Sequence, residues 1–142
     1  MKKVLALDFG EKRIGVAASD PLGATAQPIT VIERKSLVED IVRIGELARN
    51  RGSDIIVVGL PLNMDGSVGP QARRVKRFAG RLERELGLTV TVWDERLTTV
   101  EAERLLISAD ESRAARRKVR DAVAAALILE SYLEARRRDQ DE

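Results

Sequence analysis

The chain has 142 residues, about the size of one ordinary domain, and its 25 Lys and Arg nearly balance its 23 Asp and Glu, for a net charge of +2. It contains neither cysteine nor histidine, which excludes disulfides, thiolate zinc sites, cysteine nucleophiles and imidazole bases together. Any base or metal ligand must be a carboxylate, Lys, Tyr, Ser, Thr or water, and a metal held by oxygen alone is a hard one, magnesium or manganese.

The first ten residues, MKKVLALDFG, begin like a secretory leader, but Asp8 interrupts the apolar run far too early. No stretch approaches the roughly 20 apolar residues of a membrane span, so the expectation is a cytoplasmic protein with no membrane partner. Val4 to Asp8 reads as a short apolar strand, GEKR as a turn, Ile14 to Ser19 as a second strand and Gln27 to Glu33 as a third. Short connections make these an antiparallel meander. From Ser36 the period changes: Leu37, Ile41, Ile44 and Ala48 recur at helical spacing, Ser36 with Glu39 forms a capping box, and Gly52 suits the stop. Ile55 to Val58 is a β-branched run of the kind buried on both faces of a parallel sheet. Pro70 opens a second helix, with Val75, Phe78, Ala79, Leu82 and Leu86 on one face and Gly87 at its end.

Leu88 to Trp93 gives a fifth strand that stops at DER, and Thr98 with Glu101 caps a helix to about Ala109. The segment SADESRAARRK reads as loop-like or frayed. A last helix is expected from about Lys118 to Leu133, apolar nearly all round in DAVAAALILESYL and therefore buried, with RRRDQDE as a solvated tail. The order predicts an α/β fold in which a five-stranded mixed sheet, a three-strand antiparallel meander plus parallel strands, is flanked by helices. It is expected to form one domain over residues 1–142.

Three acids stand out. Asp8 ends one apolar strand, Asp94 and Glu95 end another, and ligands of open α/β sheets bind at such strand ends. Asp121 shares a helical stripe with Ala125, Ile128 and Tyr132, so an acid lies on a packing face. Each has an ordinary explanation: Asp8 as a turn cap, Asp94 or Glu95 paired with Arg96, Asp121 paired with Lys118 or Arg117. Their coincidence with two acid-free basic runs, Arg73 to Arg81 and Arg113 to Arg120, each with five Lys or Arg, fits a phosphodiester site. Clustered carboxylates repel, and two divalent ions about 4 Å apart would neutralise them and clamp both oxygens of an in-line displacement.

The blocks LALDFGEKRIGVAASD, GLPLNMDGSVGPQA, WDERLTTVEAE and VRDAVAAALILESYL, spanning nearly the whole chain in order, together resemble the YqgF/RuvX family. These are the Holliday-junction-resolvase-like proteins of bacteria within the ribonuclease H-like superfamily. The resemblance implies a ribonuclease H-like sheet and metal-dependent endonuclease cleavage of structured nucleic acid. The implied substrate is the 5′ end of precursor 16S ribosomal RNA, a step of ribosome biogenesis, or four-way DNA junctions. It assigns Asp8 as the metal-bridging ligand and Glu95 and Asp121 as the acids completing the shells of Mg2+ or Mn2+, with Asp94 the substitute if the strand end is rotated by one residue. Lys12, Arg13 and Arg96 lie beside these acids as candidates for phosphate contacts. Glu11 departs from the small residue, often Thr, that the family carries at this turn, which implies an altered hairpin tip. Gly59, Pro61, Asn63 and Gly66 form a loop that lines the cleft or simply connects strand and helix.

Two other readings fit parts of the chain. An actin-like ATP-binding phosphotransferase also begins with a strand, an Asp and a glycine turn, but needs a second lobe for which this chain is too short. A non-catalytic nucleic-acid-binding factor in ribosome assembly or transcription would keep the basic segments with idle carboxylates, although few aromatics are available as stacking platforms. A monomer suffices for trimming RNA, whereas a symmetric junction calls for a homodimer. Arg113, Arg116, Arg117, Lys118 and Arg120 are expected to hold the phosphate backbone rather than read bases. Neutralising them should weaken binding to unrelated sequences alike, with a smaller salt dependence in titrations; an unchanged slope would make the segment a solvated surface.

Overall fold

Side-chain alternation sets the sheet, because each strand meets a different helical layer on its two faces. The computed structural model describes residues 2–97 and 113–141, with side chains through Arg96 and from Arg120 to Asp139. Strands β1 (Val4–Phe9), β2 (Arg13–Ser19) and β3 (Ala26–Glu33) form the antiparallel meander. Helix α1 (Leu37–Arg51), β4 (Ile55–Leu60), α2 (Pro70–Leu86) and β5 (Thr89–Asp94) follow, then a 3-10 turn (Glu95–Leu97) and helix α3 (Arg113–Asp141). The strand order is β3-β2-β1-β4-β5, with β4 parallel to both β1 and β5. All six residues of β4 are buried, as its β-branched run requires.

The helix boundaries follow local chemistry. Ser36 Oγ accepts the Glu39 N–H at 3.1 Å, and Gly52 ends α1 at φ 65°, donating to the Ala48 and Arg49 carbonyls. Pro70 starts α2 and Gly87 ends it. Helix α3 differs from expectation. It already includes Arg113 to Lys118 and continues to Asp141 instead of stopping near Leu133. Ala, Arg and Lys propagate a helix whose middle is already packed, and the Arg138–Glu134 pair at 2.8 Å adds one turn of support. Nor is α3 buried all round: Ala122, Ala125, Ile128, Leu129 and Leu133 are buried, while Glu130 is exposed, because only one sheet face lies beside it. The helix expected from Thr98 to about Ala109 lies outside the described residues.

Two cores result. Leu5, Leu7, Ile56 and Val58 pack against α1 and α2 through Ile41, Ile44, Val75, Phe78 and Leu82. Val4, Ala6, Ile55 and Val57 pack against α3 through Ala125, Ile128, Leu129 and Leu133. On this second face Gly15 stands directly opposite Asp8 in the β1–β2 register. A methyl group on Gly15 would overlap the Asp121 carbonyl, so the absent side chain lets α3 rest on the sheet backbone. Backbone cannot step aside as a side-chain tip can. Gly15→Ala should therefore lower stability by about 1–3 kcal/mol, the usual cost of overpacking, as read by urea unfolding. An unchanged midpoint would show that α3 is free to lift.

Candidate active site

Because strand residues alternate, Leu7 and Phe9 point into the α1/α2 layer and Asp8 points toward α3, at the carboxyl end of β1. Both neighbouring strands leave room around it. Gly15 lies on the β2 side; on the β4 side is Gly59, where a Cβ would come within 2.6 Å of Glu95 Oε1 and 2.5 Å of Ile128 Cδ1. The sequence pattern suggests a loop at Gly59, but it is the fifth residue of β4, and its missing side chain is the space that Glu95 occupies. The 3-10 turn after β5 carries Glu95 back over the strand end, where it hydrogen-bonds Asp8.

The two carboxyls share a proton. Burial pushes Glu95 up to about 7, with the charge and hydrogen bond of Asp8 adding to the effect. Asp8 is also raised, first by burial and then by the field of Asp121, while the hydrogen bond from Glu95 opposes the shift. Both carboxyls are thus shifted toward holding a proton within their hydrogen bond, Glu95 the more strongly. Asp121 stands on the other side, accepting Arg13 Nε at 2.6 Å. Among the described residues no three acids gather into a ready-made metal cluster, and Asp121 is turned to Arg13. The donor set nonetheless suits a divalent cation. Two desolvated carboxyl groups joined by a hydrogen bond, with Asp121 close enough to raise Asp8 further, present a net demand for positive charge and only hard ligands.

Asp94 faces elsewhere. Arg96 grips it through Nη2 at 2.8 Å and Nε at 3.1 Å, holding its carboxyl below the usual range. The other arm of Arg96 donates to the Met64 carbonyl at 3.2 Å, tying the 61–69 loop to the end of β5. Within that loop Gly66 adopts φ 87° and Asn63 bonds Ser67 at both backbone and side chain. Lys12 is exposed at the hairpin tip, Arg120 is exposed beside Asp121, and Glu11 is 81% exposed near Arg74. The side chains of Arg113, Arg116, Arg117 and Lys118 lie outside the described residues.

One supporting pair is absent from the residues that sequence singles out. Asp40 is fully buried and holds Arg34 Nε at 3.3 Å and the Lys35 N–H at 3.0 Å. Arg34 donates to the Gly10 carbonyl at 3.1 Å and lies 4.4 Å over the Phe9 ring, which stacks on Phe78. The residue after Asp8 is thus fixed from the opposite face. A signal for it exists in the pattern: Asp40, Ile44 and Ala48 repeat every four residues, placing an acid on the apolar stripe of α1.

A five-stranded sheet of order 3-2-1-4-5, with Asp8 and Glu95 at the carboxyl ends of β1 and β5 and Asp121 on α3, has the architecture of the ribonuclease H-like fold. The chain belongs to the RuvX family, whose model, described as Holliday junction resolvase, matches residues 2–135. A Pelotomaculum thermopropionicum protein named "Putative pre-16S rRNA nuclease" is 54% identical over 99% of this chain and 92% of its own. One of the same name from Symbiobacterium thermophilum is 55% identical over 92% and 90%. Among solved structures, Thermus thermophilus RuvC in complex with a Holliday junction substrate aligns with a TM-score of 0.60 at 13% identity, covering 95% of this chain and 96% of that one. The fowlpox virus Holliday junction resolvase aligns at 0.55 and 16%, covering 94% and 99%. At these identities the two structures bear on the fold alone.

The shared proton has a consequence for stability. The folded-state value of Glu95, about 7, lies above its ordinary 4.5, so between these pH values the folded protein holds a proton that the unfolded chain has released. Stability should therefore fall as pH rises from about 4.5 to about 7 in EDTA, with Asp8 acting in the same direction. Urea midpoints across that range test this, and Glu95→Gln should flatten the profile. A flat wild-type profile would mean that the two carboxyls do not share a proton.

Proposed function

We propose that this chain is a single-domain, divalent-metal-dependent endonuclease of the bacterial cytoplasm that cleaves structured RNA at the 5′ end of precursor 16S ribosomal RNA. The observation that carries the reading is the Asp8–Glu95 pair with Asp121 beside it, an oxygen-only acid site at strand ends of a nuclease family's fold. The substrate comes from the relatives' name. No helix among the described residues is long and apolar enough to cross a membrane. Together with Glu95 and Asp121, Asp8, near the carboxyl end of β1 with glycines on both neighbouring strands, would hold magnesium or manganese, which would supply charge to neutralise the acids and activate water.

The protein's own groups do the rest. Ionisation of Glu95 is needed before it can bind a cation, so its proton must leave as the site is loaded. Arg13, now on Asp121, sits where it can turn to a phosphate once the acid is otherwise engaged, and Lys12 and Arg120 extend positive charge on either side. Arg96 is committed to Asp94 and the Met64 carbonyl, so it shapes the cleft wall as well as offering charge. Arg113, Arg116, Arg117 and Lys118 are assigned to the approaching backbone by the same reasoning that marks Arg120.

Asp8→Asn separates this reading from the turn-cap alternative. Cleavage of a precursor 16S fragment should fall by more than the roughly 10–100-fold that even outer-shell partners of a metal site cost. The EDTA melting temperature should stay level or rise, because one repelling charge is gone. Excess EDTA should abolish wild-type cleavage, and zinc should not restore it. A destabilised but active Asp8→Asn protein would overturn the catalytic assignment, and preferential cleavage of a four-way DNA junction assayed alongside would move the substrate to DNA.

A further inference from the structure

The basic run of α2 has no part in the acid site, and it lies on the other face of the sheet. On α2 the buried positions are Ala72, Val75, Phe78, Ala79 and Leu82, which turns Arg74, Arg77, Arg81 and Arg84 outward along one stripe. At 1.5 Å per residue that stripe is about 15 Å long. Four guanidinium groups thus face outward along the path a nucleic-acid backbone would follow. The acids nearby are few. Glu85 pairs with Arg81 at 3.2 Å, Glu11 stands 3.9 Å from Arg74, and Glu83 accepts the Val90 N–H.

A groove runs beside this stripe. It encloses about 530 Å³ and is lined by the four arginines together with Phe9, Phe78 and Arg34. Arg34 is not a loose surface charge. Buried Asp40 holds its Nε and Phe9, the residue after Asp8, supports its plane, so its guanidinium is placed in advance at the groove's upper end. Direction follows from topology. Helix α2 begins just after the loop leaving β4, at the catalytic end of the sheet, and finishes where β5 begins, at the far end. The stripe therefore leads from the acid site down the opposite side of the molecule.

We propose that this groove is a second phosphate-backbone site, which holds a nucleic-acid strand flanking the cleaved position as it leaves the acid site across the α1/α2 face. The proposal rests on the nuclease reading above and extends it to a surface that the acid site does not use. The contacts are to phosphate, so they set affinity and register without reading sequence.

The test uses an RNA hairpin with a long single-stranded 5′ extension, titrated in EDTA at several salt concentrations. Arg77 and Arg84 are exposed, so R77Q/R84Q should leave the fold intact, which melting curves check. A control pair, R49Q/R51Q on α1, removes the same charge away from the groove. On a single strand, each phosphate that the protein no longer neutralises lowers the slope of log affinity against log salt by about 0.7, so R77Q/R84Q should lower it by about 1.4. Affinity at physiological salt should fall on the order of tenfold, while R49Q/R51Q stays near wild type. Equal effects from the two doubles, or no effect from R77Q/R84Q, would overturn the groove even with wild-type cleavage intact. Failure of the nuclease reading looks different: wild-type protein would then leave the RNA uncut when magnesium is added, whatever the two doubles do to binding.

Discussion

Carboxyl groups brought out of water beside one another repel, and the end of the sheet that carries Asp8 is organised around making that approach possible. Asp8 occupies the middle of a sheet, the least forgiving place for two more acids to reach. The chain solves the steric half of the problem with glycine. Gly15 on one side admits the backbone of α3 at Asp121, and Gly59 on the other admits the Glu95 side chain. The electrostatic half is only provisionally solved by a proton on Glu95 and by Arg13 on Asp121. Both are replaceable, which is the property a site must have if it is to take up a cation and then a phosphate.

The other face of the sheet has the opposite character. There the buried acid, Asp40, is permanently matched by Arg34 and a backbone N–H, and the pair anchors the turn that follows β1. A satisfied buried pair of this kind fixes geometry rather than inviting a ligand. Asp8 is thus held from behind by a fixed ion pair and faces, in front, a group of charges that can be exchanged. The same Arg34 also lines the basic groove of α2, so the support of the acid site and the surface assigned to the flanking strand share one residue.

Family membership and local geometry contribute different things. Identities above 50% over nearly the whole chain place it among the RuvX proteins, and the remote resolvase structures agree in fold. Neither says what Asp94 does, and here the structure is specific: Arg96 grips it, leaving Glu95 as the acid that turns toward Asp8. The ordinary pairing foreseen for the DER segment and the acid site coexist, one residue apart, because strand β5 ends at Asp94 and a 3-10 turn redirects the next side chain.

Local pattern determined the order of the described strands and helices, the caps at Ser36, Gly52 and Gly87, and the fully buried run of β4, because these depend on residues a few positions apart. The absence of cysteine and histidine left only oxygen ligands and Lys for the site, independently of any geometry. The ends of α3 differ from the pattern because helix propagation beyond a packed centre needs no apolar stripe to announce it. Only the tertiary structure decided what the glycines do and how the acids pair. Gly15 is an unremarked residue of a strand until α3, more than a hundred positions later, lies against it, and Gly59 looks like a turn residue until Glu95 fills the space beside it. The proton shared by Asp8 and Glu95, and the grip of Arg13 on Asp121, arise between residues far apart in the chain. Local pattern carries no information about such distances, because they are set by how the layers pack.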